Sequence, residues 1–146
     1  ALRWRLKKPI LQALMARADW RGWGRIPMWL ASRMVGPYKE RKVLANLSAK
    51  PYVSPRAQIR CAHLHIGANA FVDDDVTIYS HDDGKGIEIG DRVHIHRGTI
   101  IEAGAGGGVF IGPDTHIQAN CNLKGFLRDL RIGAQVQLAP QCALSP

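Results

Sequence analysis

Acidic residues are almost missing from the front of this 146-residue chain. Residues 1–60 hold two, Asp19 and Glu40, against 14 Lys and Arg. Cysteine is scarce as well. Three Cys with no paired spacing (Cys61, Cys121, Cys142) exclude a disulfide framework and a CxxC zinc site. No apolar run approaches the roughly 18–20 residues that a spanning helix requires, which excludes a transmembrane helix. Arg17, Asp19 and Arg21 break the only stretch that resembles a signal peptide, so a mature, cytoplasmic protein is expected. A disordered chain is excluded by a hydrophobic content of 46%.

What is present divides in two. Residues 61–146 hold 6 Lys/Arg and 10 acids, so the net charge of +8 combines a +12 front with a −4 rear. All four Trp (Trp4, Trp20, Trp23, Trp29) lie in front, and 12 of the 15 Gly lie behind. Two regions are expected, a basic, Trp-rich helical segment over 1–52 and a second unit over 53–146.

A repeat organises the rear. Ile-Gly recurs at Ile66-Gly67, Ile89-Gly90, Ile111-Gly112 and Ile132-Gly133, spaced 23, 22 and 21 residues apart. Steps of six from each Ile give Ile66/Val72/Ile78, Ile89/Ile95/Ile101, Ile111/Ile117/Leu123 and Ile132/Leu138/Leu144. Two residues before many of these stand small or β-branched side chains such as Val93, Thr99, Thr115 and Cys121, suited to a strand pointing alternate residues inward. Three short strands and three sharp turns close a triangular coil, and stacked coils bury a column that no single coil could bury. Val53 and Ile59 predict an earlier coil that slips by one residue before Ile66. The surplus over eighteen residues per coil falls at one corner each time, predicting a ridge of loops over 80–88, 102–109 and 124–131.

The pattern from Val53 to Pro146 resembles the hexapeptide-repeat family. That resemblance implies a mainly β protein: a left-handed parallel β-helix of about four to five coils behind a short α-helical N-terminal segment. In front, Leu2, Leu6, Ile10, Ala13 and Leu14 fall at helical spacing, with Arg3, Arg5, Lys7, Lys8 and Arg17 largely on the other side. Ile26 to Met34 predicts a second helix ended by Gly36-Pro37, and Tyr38 to Leu47 a third. This segment reads either as a cap over the first coil or, through residues 1–42, as a basic Trp-bearing surface for anionic lipid on the inner membrane face. Nucleic acid is not expected, because there is no reader motif and the basic segment is also rich in Trp and Leu.

Within the family, the resemblance is to sugar O-acetyltransferases. Ile132-Gly133, Leu138-Ala139-Pro140 and Leu144-Ser145-Pro146 are similar to their approach to the active-site loop. Their Ile-Asn-x-Asn run is matched by Ile117-Gln118-Ala119-Asn120, with Gln118 for the first Asn. The implied function is acyl transfer from acetyl-CoA or another acyl-CoA to a sugar or glycolipid hydroxyl by a homotrimer with sites between subunits. His96, Gln118 and Asn120 are the implied substrate-binding residues, Asn120 reading equally well as a turn residue. The implied general-base His falls just beyond Pro146, followed by the CoA-binding coils, so no catalytic residue is expected in this chain and a fragment is expected. A non-catalytic β-helix scaffold is the alternative.

Three further patterns read as structure. A γ-carbonic-anhydrase-like metal site is disfavoured, since Glu102 stands at the first ligand position and the coil over Ile117–Asn120 lacks the other His, so no metal is required. Ser80-His81-Asp82-Asp83 and Gly104–Gly108 read as a solvated and a flexible corner loop, and Asp73-Asp74-Asp75 as a hydrated corner.

Overall fold

A computed structural model describes residues 2–146. The rear is a parallel β-helix of about four turns, as the hexad spacing predicts. Its first face stacks β1 (Tyr52–Val53), β4 (Phe71–Val72), β7 (His94–Ile95), β10 (His116–Ile117) and β13 (Gln137–Leu138). The second stacks β2 (Gln58–Arg60), β5 (Thr77–Ser80), β8 (Ile100–Gly104), β11 (Asn122–Phe126) and β14 (Ala143–Leu144). The third stacks β3 (Leu64–Ile66), β6 (Gly86–Ile89), β9 (Gly108–Ile111) and β12 (Leu130–Ile132). All pairings are parallel and join each strand to its counterpart one coil on, for example Ile95 to Ile117 and Ile101 to Leu123.

The predicted inward residues form the core. Val72, Ile78, Ile89, Ile95, Ile101, Ile117 and Leu123 are fully buried, each contributing roughly 1.5–3 kcal/mol relative to exposure. Thr99 and Thr115, in the second inward row, donate their hydroxyls to the carbonyls of Gln118 and Gly133 on the next coil. Val53, Ile59 and Ile66 do make an earlier coil, pairing with Val72, Ile78 and Ile89. Their one-residue slip is the smallest insertion at the same corner as the others.

That corner, between the second and third faces, differs from the ridge of long loops expected. β5, β8 and β11 run on into the predicted loops, and the connections shrink to 81–85, 105–107 and 127–129. Pairing continues because neighbouring coils carry similar insertions: Glu102, Ala103 and Gly104 face Lys124, Gly125 and Phe126. The glycine run is bonded rather than loose, with Gly107 N–H donating to the Gly104 carbonyl and Gly108 N–H to Asp129 Oδ1.

The front folds as α1 (Leu2–Arg17), α2 (Arg25–Met34) and the short α3 (Lys42–Ala45), with 3-10 turns at Gly22–Gly24 and Tyr38–Arg41. Leu11, Met15, Ala18, Met28, Ala31 and Leu44 close a second core against Tyr52 and Phe71, the outward residues of the first two coils. Trp20 packs against the β-helix interior. The apolar spacing on α1 does not by itself mark the buried face. Leu6 and Ile10 are exposed, whereas Leu11, Met15 and Ala18 form the buried face; the Leu2 side chain lies outside the described residues. Among the described residues no helix is long and apolar enough to cross a membrane.

Candidate functional site

The register sorts the polar residues onto corners. His96, Gln118 and Asn120 all sit where the first face turns into the second. His96 follows β7 and Gln118 follows β10, one coil apart. Asn120 turns this corner with a positive φ of 59°, and Asp75, Gly98 and Gln141 also have positive φ at the same place in the other coils. Its Oδ1 lies so close to Gly98 that a Cβ there would collide with it. The turn role of Asn120 is thus visible, and its exposed amide remains open to solvent.

His96 lies deeper than an outward position implies. It is 1% exposed, and neither ring nitrogen has a hydrogen-bond partner. Burial, and then the Lys42 ammonium, push its pKa down to about 4, so the ring is neutral at pH 7. His94 is likewise lowered to about 4 by burial and by His116, whose ring lies 4.5 Å away at a tilt of 43°. The cause is the front segment, which covers the first face around Tyr52 and Phe71. Tyr52, pushed up to about 12 by burial, and Asp73, raised by the same cause, share this region.

Asp73-Asp74-Asp75 is correspondingly no hydrated corner. Asp73 and Asp74 are buried, and Arg41 lies 2.7 Å from Asp74 Oδ2 while the Ser54 hydroxyl donates to Oδ1. Asp75 pairs with Arg56 at 3.1 Å. Of the three, Asp74 fastens the front segment to the coil through Arg41, while Asp75 pairs within the β-helix and Asp73 Oδ2 has no partner.

A second constellation lies past the end of the second face. His81 Nε2 is 2.7 Å from Glu102 Oε1. Lys124 Nζ stands 3.9 Å from the other oxygen. The imidazole is held edge-on by Tyr79 (4.8 Å) and Phe126 (5.5 Å). Gly104 leaves it room, since a Cβ there would lie 2.9 Å from both His81 Cδ2 and Phe126 Cε1. A cavity of about 400 Å³ opens beside it, lined by Arg60, His63, Tyr79, Ser80, His81 and Asp82. Reading 80–83 as a solvated loop missed the pair because the carboxylate comes from the next coil. The signal was available: Glu102 lies one coil beyond Tyr79 in the same outward column.

Among the described residues, no three His, Cys, Asp or Glu side chains form a metal-binding group. The fold defines a parallel β-helix with two polar corners. Comparison with protein-family models and with curated proteins finds no match for the chain.

Proposed function

We propose that the chain is the β-helix of an acyl-CoA-dependent O-acyltransferase that modifies a sugar or glycolipid hydroxyl and works as a homotrimer. One observation carries this reading. Two groups of polar side chains lie on different corners: Gln118 and Asn120 on one, and His81, Glu102 and Lys124 on the next. A ligand that needs both groups is served where one subunit's first corner meets its neighbour's second, which symmetric oligomers provide.

The acceptor oxygen attacks the thioester carbonyl carbon, the C–S bond breaks, and the hydroxyl proton passes through a general base to the departing CoA thiolate. The amides of Gln118 and Asn120 hydrogen-bond the acceptor or the developing oxyanion. His96 lies one coil before Gln118 with both ring nitrogens free of partners, and its 1% exposure keeps it from direct contact with the acceptor. His81, oriented by Glu102, and Lys124 supply polarity to the acceptor side. No general base is assigned among residues 1–146.

Release of CoA thiol over a panel of sugar and glycolipid acceptors tests this. The complete protein is expected to turn over, with Gln118→Ala raising acceptor KM about tenfold, the loss of one hydrogen bond. Residues 1–146 alone should release none. Turnover by that piece would contradict the assignment of the base. A complete protein silent toward every acceptor would leave the non-catalytic scaffold in its place.

A further inference from the structure

The front segment carries more apolar surface than its own core uses. α1 and α2 turn Leu11, Met15, Ala18, Met28 and Ala31 into one shared cluster. Both therefore point their opposite faces away from it. On those faces Leu6 (68%) and Ile10 (54%) stand i, i+4 along α1, and Ile26 (51%), Trp29 (47%) and Leu30 (41%) stand i, i+3, i+4 along α2. Trp23, in the turn between the helices, is 87% exposed. Single exposed apolar residues are ordinary, but five large ones on two packed helices and a sixth in the turn between them mark an interaction surface.

Charge identifies the occupant. Residues 1–37 contain eight Lys and Arg and one acid, Asp19. Arg3, Arg5, Lys8 and Arg17 on α1 and Arg25 and Arg33 on α2 are all exposed. The Arg33 guanidinium lies over the Trp29 ring at 5.3 Å, pairing a cation with an amphipathic indole. A second copy of this face would bring like charges together. A polyphosphate chain would satisfy the cations but leave the Leu, Ile and Trp rows in water. An anionic bilayer surface satisfies both, with phosphates at headgroup depth and acyl chains just beneath.

We propose that the outer faces of α1 and α2, with Trp23 between them, dock this protein in the plane of an anionic phospholipid membrane. The β-helix then stands at the bilayer surface with its polar corners free of the contact. Docking requires no turnover, so its failure and that of the acyltransferase reading are separable.

Co-sedimentation of the protein with vesicles tests the proposal. One set is phosphatidylcholine alone, and the other contains about a third phosphatidylglycerol. Partition to the anionic set is expected to be tenfold or more stronger and to fall as salt is raised. Trp23→Ser with Leu30→Ser should reduce it at least tenfold, and Arg5→Glu with Lys8→Glu similarly. All four side chains are exposed, so circular dichroism should be unchanged. Equal partition to both vesicle sets would overturn the proposal. So would binding to RNA without binding to vesicles, or self-association abolished by the Trp23 and Leu30 substitutions.

Discussion

Gly125→Ala is expected to cost about 3 kcal/mol and lower the melting temperature by about 10 °C. A Cβ on Gly125 would lie 2.2 Å from the Gly108 carbonyl oxygen and 2.7 Å from its carbon. Both groups are backbone and neither can swing aside. Beyond the last inward aliphatics, β11 and β9 close on each other with no layer of side chains between them. Moving them apart by an ångström would break the pairing of Gly125 with Ala103 and of Gly108 with Gly86. Thermal melts of Gly125→Ala beside the unsubstituted protein check this directly. Equal melting temperatures would mean that the corner is not closed.

Acid is expected to loosen the front segment well above the pH at which carboxylates protonate. His94 and His96 have pKa values near 4 in the fold against 6.5 ordinarily, chiefly through burial. The unfolded chain therefore binds more protons between about pH 6.5 and 4, and stability falls as pH falls through that window. For His96, which is 1% exposed, the loss at pH 4.5 is on the order of 2 kcal/mol. Asp73, raised by burial, works in the opposite sense near pH 4 and offsets part of it. Melting temperature should drop by about 5–10 °C from pH 7 to 4.5. His96→Leu should retain stability at pH 7, because it removes two unpartnered buried nitrogens, and should flatten the acid slope. An unchanged slope in that variant would show that His96 is not the titrating group.

These two results trace what the sequence discloses. Twelve aliphatics at six-residue steps were enough to lay out the coils, because each strand pairs only with its neighbours and the register is local. The insertion corner was legible in place but not in form. Whether 102–104 is loop or strand depends on the matching stretch one coil away, and residues 124–126 supply the partner. Burial of His96, Asp73 and Asp74 was not legible, since an outward position in a β-helix is exposed unless another segment covers it. Here Arg41 reaches 33 residues along the chain to Asp74. The buried face of α1 is hidden in the sequence for a related reason. Its most regular apolar row, Leu6 and Ile10, faces outward while Leu11 and Met15 meet Tyr52 and Phe71. His81 and Glu102 were each visible as residues, but their pairing needs the coil register rather than sequence adjacency.

We propose that acyl transfer uses one corner from each of two neighbouring subunits. Subunit complementation in the complete protein tests it most directly. Gln118→Ala with Asn120→Ala disables one corner, and His81→Ala with Glu102→Ala disables the other. Each variant alone should be almost inactive. Mixed in equal amounts into trimers, they should recover about a quarter of wild-type CoA release, because one interface in four joins two intact corners. No recovery in mixed trimers, with each variant folded and trimeric, would contradict the account.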